Sequence, residues 1–125
     1  MMQRVSAICC VLVMLLTMTA CQPLEMTARD GIASAKGFLD SEAKAHGECN
    51  ATPTLQVCTL INRGNAAKHT AIDALEQYCT SPEFDAGTAP CTKPTGAAGT
   101  IAANQLKAAM ANLNQIITDI KAIGK

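Results

Sequence analysis

The apolar residues near the C-terminal end of the sequence recur in steps of three and four, and this spacing constrains the fold most. Side chains spaced in this way lie on one face of an α-helix. Gly124 follows the last of them, as glycine often does after a helix end. The spacing predicts an amphipathic helix over residues 99–123. The stripe consists of Ala102, Leu106, Ala109, Leu113, Ile116, Ile120 and Ile123, with Met110 and Ile117 beside it.

A similar stripe precedes it near the start of the chain, over residues 24–46. Its apolar positions predict a first helix, and Gly47 directly afterwards is typical of the left-handed residue that ends a helix. The stripe consists of Leu24, Ala28, Ile32, Ala35, Leu39, Ala43 and His46.

Between these segments, Thr52 and Pro53 are typical of an N-cap and of the first residue of a helix. They predict a second helix over residues 53–79. Gly64 lies in a polar stretch of this helix and is about 1 kcal/mol less favourable than Ala there, so a kink or break is left open. Residues 80–98 are rich in Pro, Gly, Thr and Ser and are predicted to form a loop.

Three helices and no strand pattern predict an all-α fold, a small antiparallel three-helix bundle. Alanine is abundant, and only three aromatic residues occur in the sequence, namely Phe38, Tyr78 and Phe84. The core is therefore expected to be thin, and a domain of this size with such a core needs additional cross-links.

The N-terminal residues have the order of a secretory signal. A short segment ending in Arg4 is positively charged, residues 5–16 are almost wholly apolar, and small residues then lead to Cys21. The apolar run is shorter than the roughly 20 residues that a transmembrane helix needs. The sequence thus predicts a signal peptide over residues 1–20.

The four residues Met18-Thr19-Ala20-Cys21 resemble the lipobox of bacterial lipoproteins, in which a large apolar residue and two small ones precede a cysteine. Met18 stands where Leu is usual, and the resemblance covers only residues 1–21. It implies cleavage before Cys21, diacylglycerol on the Cys21 thiol and a fatty acid such as palmitate on the new amino group. The alternative is an ordinary secretory signal that is cleaved near Thr19 or Ala20.

The lipoprotein resemblance also implies a location for the mature domain, residues 21–125. An Asp directly after the cysteine resembles the signal that retains lipoproteins in the inner membrane, whereas this sequence has Gln22. We therefore expect the outer membrane, with the domain facing the periplasm. Only Gln22 and Pro23 separate Cys21 from the first predicted helix, so the tether reaches roughly 10 Å.

Four cysteines remain in the predicted helical domain, and outside the cytoplasm they indicate two disulfides. Three pairings are possible. A helix over residues 53–79 would be about 40 Å long, which places Cys49 and Cys58 at one end and Cys79 and Cys91 at the other. Since a disulfide needs Cα atoms within about 7 Å, the expected pairs are Cys49–Cys58 and Cys79–Cys91.

Motifs for catalysis, metal binding or a cofactor are not found in the sequence. No C-x-x-C occurs, and His46 and His69 are not spaced with acids on one face, so no metal site is predicted. The near-neutral charge offers no field to attract nucleic acid. One polar band of the second helix is a candidate partner surface, or simply the solvated side of the helix: Asn62, Arg63, Asn65, Lys68 and His69.

These features favour a non-enzymatic lipoprotein of the cell envelope, bound to the membrane through Cys21. It would present a helical bundle to an envelope protein or to a second copy of itself. Two alternatives remain open: a lipoprotein that binds a small ligand or a peptide, and a prophage-encoded exclusion or lysis lipoprotein.

Overall fold

The computed structural model describes residues 23–79 and 91–123, and within them the chain is all-helical without strands. The elements are helix α1 (Leu24–Ala45), a 3₁₀ turn (Gly47–Asn50), helix α2 (Gln56–Tyr78) and helix α3 (Gly96–Ile123). None of these helices is both long and apolar enough to cross a membrane. The predicted signal peptide, Cys21 and Gly124 lie outside the described residues.

The three helices form an antiparallel bundle, which confirms the predicted fold class. At one end of the core, Ala28 of α1 packs with Tyr78 of α2 and Ala102 of α3. At the other end, Leu39 of α1 packs with Leu60 of α2 and Ile120 of α3. We call the first the near end, where α1 and α3 begin and α2 ends, and the second the far end.

The core is built from Leu, Ile and Ala, and the largest fully buried side chains include Leu39, Leu75, Leu106 and Leu113. The apolar stripe of α3 is the most accurately predicted face. Five of its seven positions are buried, whereas Ala109 is half-buried and Ile123 is exposed. Each buried Leu contributes about 1.5–3 kcal/mol relative to an exposed one, so α3 is a main source of stability.

The end of α1 differs from the prediction at Gly47. The helix ends at Ala45, His46 is its C-cap, and Gly47 begins the 3₁₀ turn instead of adopting a left-handed conformation. The backbone N–H of Cys49 donates to the carbonyl of His46, so the chain continues directly into a tight right-handed turn. This turn carries Cys49 toward α2.

The predicted start of α2 at Pro53 was wrong, since the helix begins at Gln56 and its N-cap is Leu55. Backbone hydrogen bonds of the preceding turns give a physical reason, since the N–H of Thr52 donates to the carbonyl of Glu48 and the N–H of Leu55 donates to the carbonyl of Thr52. The residues before Gln56 form turns instead.

Helix α2 is continuous through Gly64, which resolves the question left open by the sequence. Gly64 is buried where α2 approaches α1. A Cβ built there would lie 2.6 Å from Cδ2 of Leu39, so any larger residue at this crossing would displace the Leu39 side chain.

Helix α3 begins at Gly96, earlier than the predicted residue 99, so residues 96–98 of the predicted loop 80–98 belong to the helix, and residues 80–90 of that loop lie outside the described residues. Gly96 adopts a φ of +66°, which lets the chain turn sharply into the helix. A Cβ at Gly99 would clash with the carbonyl oxygen of Pro94. The glycines that suggested a loop thus permit the close turn at the helix start.

Both predicted disulfides are present in the structure. Cys49–Cys58 lies at the far end and has a Cα–Cα distance of 5.4 Å. Cys79–Cys91 lies at the near end and has a Cα–Cα distance of 4.7 Å. The first joins the 3₁₀ turn to α2, and the second joins the end of α2 to the segment that leads into α3.

Candidate functional site

The five residues of the polar band predicted on α2 differ in how far they are exposed. Asn62, Arg63 and His69 are exposed, whereas Asn65 and Lys68 are half-buried. The Nζ of Lys68 donates to Oδ1 of Asn65 over 3.3 Å, so these two side chains partner each other. Lys68 also makes a small contribution to lowering the pKa of Asp40 on α1.

The three exposed residues of the band share the outward side of α2. His69 follows Asn62 by about two helical turns, so both lie on nearly the same line along the helix, and Arg63 lies about 100° around it. We call these three residues the outward arc of α2. They carry hydrogen-bonding groups and the cation of Arg63. The outward arc is suited to contact with a protein surface, and it remains a candidate for that role.

The near end carries a charged contact between two elements. The Nζ of Lys93 lies 3.2 Å from Oε2 of Glu25 in the first turn of α1. Lys93 also lies 5.9 Å from the centre of the Tyr78 ring. The Glu25 carboxylate, and to a smaller extent Tyr78, raises the pKa of Lys93. The segment after Cys91 is thereby held against both α1 and α2.

The far end carries a second charged cluster, at the corner between α1 and the 3₁₀ turn. His46 Nδ1 lies 2.8 Å from Oε1 of Glu48, and His46 Nε2 lies 3.5 Å from Oε2 of Glu42. The hydrogen bond from His46 is the largest cause of the lowered pKa of Glu48. His46 therefore links the last turn of α1 to the turn that bears Cys49.

Neither cluster was identified from the sequence. The i,i+4 spacing of Glu42 and His46 was available as a signal. The contact between Glu25 and Lys93 joins residues far apart in the chain and becomes evident only when α1 and the start of α3 lie at the same end. Within residues 23–79 and 91–123, no group of three or more His, Cys, Asp or Glu residues could hold a metal ion.

The remaining predicted site residue, Cys21, lies outside the described part of the chain. The described residue nearest to it is Pro23, which directly precedes α1 at the near end. Any group attached to Cys21 is thus two residues from the near end of the bundle.

Comparisons of the chain with protein-family models, with curated proteins and with solved structures gave no match.

Proposed function

We propose that this protein is a lipid-anchored, non-enzymatic component of a bacterial cell envelope that presents its helical bundle to a protein partner. The observation that carries the proposal is the sequence Met18-Thr19-Ala20-Cys21 directly after an apolar segment. Two or three acyl chains on Cys21 would provide a firm anchor, because each buried methylene contributes about 0.8 kcal/mol. The two disulfides are consistent with an oxidising compartment.

The anchor can be tested by growing cells with a fatty acid that carries an alkyne and labelling the protein after lysis. We expect the natural chain to be labelled and to fractionate with membranes, and Cys21→Ser to be unlabelled. Cys10→Ser is the matched control, since it removes a cysteine from the predicted signal peptide and leaves the lipobox unchanged. Label on the Cys21→Ser variant would refute the proposal.

The proposed location in the outer membrane depends on Gln22. In a diderm bacterium, we expect the natural protein to sediment with outer-membrane fractions on a density gradient. Gln22→Asp should move it to inner-membrane fractions, and Gln22→Ser should leave it in place. An inner-membrane location of the natural protein would contradict this part of the proposal.

The outward arc of α2 is the proposed partner surface, with Asn62, Arg63 and His69 as its polar residues. A photo-crosslinking amino acid at position 69 should yield a defined adduct in living cells. The same amino acid at Ser34, an exposed position of α1, is the control. A mass of two chains would identify the partner as a second copy, and identical adducts from both positions would argue against a specific surface on α2.

A further inference from the structure

Large apolar side chains are exposed at both ends of the bundle, and the two most exposed lie near its near end. Among the described residues, the exposed fractions are 57% for Ile101 and 49% for Met26, against 41% for Ile123 and 40% for Leu55. Met26 is in the first turn of α1, and Ile101 is in the second turn of α3. Single exposed apolar residues are common on proteins, so their position relative to the anchor decides whether they matter.

The length of chain between Cys21 and the bundle limits how far the near end can lie from a membrane. Pro23 is described and directly precedes α1, so only Gln22 and Pro23 separate a lipid-bearing Cys21 from Leu24. Such a tether reaches at most roughly 10 Å. That distance is no larger than the diameter of one helix, so the near end must lie at the level of the lipid headgroups.

The direction of the side chains then brings the exposed apolar residues toward the lipid. Met26 lies about 3 Å, and Ile101 about 7.5 Å, along the axis from the start of its helix. Side chains of a helix tilt toward its N-terminus. Because α1 and α3 both begin at the near end, Met26 and Ile101 lean toward the membrane. Ile123, which ends α3, leans away from the far end.

The first turns of α1 and α3 carry little net charge, whereas the exposed Glu76 in the last turn of α2 adds a carboxylate at the near end. Glu25 is the acidic residue of the first turn of α1, and it is paired with Lys93. The first turn of α3 contains no acidic residue. The first turns of these two helices therefore add one carboxylate, which is paired with Lys93, so anionic headgroups would meet little repulsion at the starts of α1 and α3.

From these observations we infer that the near end of the bundle is itself a lipid-binding surface, in which Met26 and Ile101 enter the interfacial region of the bilayer. The inference rests on the proposed lipid anchor on Cys21 and goes beyond it. The protein would bind the bilayer both through acyl chains and through its folded surface, which would fix the tilt of the bundle and keep the far end in solvent.

The test uses the lipidated full mature chain in vesicles of phosphatidylethanolamine and phosphatidylglycerol that contain a phospholipid with a nitroxide on its acyl chain. A fluorophore is attached to one introduced cysteine at a time, with both disulfides intact: Met26→Cys, Ile101→Cys, Leu55→Cys or Ile123→Cys. We expect the nitroxide to quench the labels at positions 26 and 101 several-fold more than those at 55 and 123. Equal quenching at all four positions in vesicle-bound protein would overturn the inference.

A second measurement removes the apolar groups while the reporter stays in place. With the fluorophore on Thr95→Cys, Met26→Gln combined with Ile101→Gln should lower the quenching. Leu55→Gln combined with Ile123→Gln is the matched control and should leave it unchanged, and circular dichroism checks that both variants are helical. Unchanged quenching in the near-end variant would overturn the inference. If the natural chain fails to float with vesicles, both the lipid anchor and the inference are wrong. If it floats but the labels at positions 26 and 101 are quenched no more than those at 55 and 123, only the inference is wrong.

Discussion

At the scale of single residues, two glycines of neighbouring helices have different roles. Gly64 of α2 is buried, and a Cβ there would lie 2.6 Å from Cδ2 of Leu39 and 3.6 Å from Cγ2 of Ile116. Gly37 of α1 is exposed, and a Cβ there would meet nothing within 4 Å. Because Leu39 is only 1% exposed within the packed core, it has little room to move away.

This difference predicts opposite effects of the same substitution. Gly64→Ala should lower the free energy of unfolding by about 1–2 kcal/mol, since overpacking outweighs the gain in helix propensity. Gly37→Ala should raise it by about 0.5–1 kcal/mol, since only the propensity changes. Urea unfolding of both variants checks the prediction. Stabilisation by Gly64→Ala of the same size as that by Gly37→Ala would show that α1 and α2 do not approach closely there.

The ion pair between Lys36 and Asp40 gives a prediction about pH. The two side chains are 3.0 Å apart, and the hydrogen bond and charge of Lys36 lower the pKa of Asp40 from its ordinary value of 3.8. A carboxyl whose pKa is lower in the folded state stabilises that state above its unfolded pKa, and this contribution is lost as the pH falls through the folded pKa.

We therefore expect Lys36→Gln to raise the pKa of Asp40 toward 3.8, measured by carboxyl chemical shifts in an NMR titration. A double-mutant cycle with Asp40→Asn should show a coupling between the two residues at neutral pH that disappears below the folded pKa. A pKa of Asp40 that does not respond to Lys36→Gln would rule out the pair in solution.

At the scale of helices, the sequence predicted the existence and the faces of the three helices better than their starts. The three-four spacing of α3 reports packing on one face directly, and Leu106, Leu113 and Ile116 are buried as expected. The start of α2 depends on how the chain turns between Cys49 and Cys58, which Thr52 and Pro53 do not indicate. The start of α3 depends on a positive φ at Gly96. A glycine with positive φ is equally compatible with a loop, so the sequence did not reveal that the helix begins there.

The candidate site was less predictable than the fold. The five polar residues of the α2 band are close together in the sequence, but Asn65 and Lys68 are half-buried and bonded to each other, whereas Asn62 and His69 are exposed. Periodicity reports which residues are buried and not which polar side chains pair with each other. The prediction that Cys21 is lipidated rests on a short local sequence pattern, which can be recognised without any tertiary contact. Cys21 itself lies outside the described residues.

The disulfides should each stabilise the fold by constraining the unfolded chain. The two pairs are separated by 9 and 12 residues, so replacing either pair by Ala should cost about 2–3 kcal/mol. The measurement is urea unfolding of Cys49→Ala/Cys58→Ala and of Cys79→Ala/Cys91→Ala. Peptide mapping under non-reducing conditions checks the pairing itself, and a peptide that links Cys49 to Cys91 would be incompatible with this bundle.

At the scale of the whole molecule, the antiparallel order of the helices gives the bundle two different ends. The near end holds Cys79–Cys91, the Glu25–Lys93 pair and the start of α1. The far end holds Cys49–Cys58 and the contacts of His46 with two glutamates. If Cys21 carries the lipid, the far end and the outward arc of α2 are the surfaces available to a partner across the periplasm.

The proposed membrane anchor depends on the chemistry of Cys21, which mass spectrometry of the N-terminal peptide tests most directly. The protein would be extracted from the membranes of the organism that makes it and digested, and its first peptide would be sequenced. We predict a peptide that begins at Cys21, with diacylglycerol on the thiol and a fatty acid on the amino group. A first peptide that begins at another residue, or at Cys21 without lipid, would contradict the account.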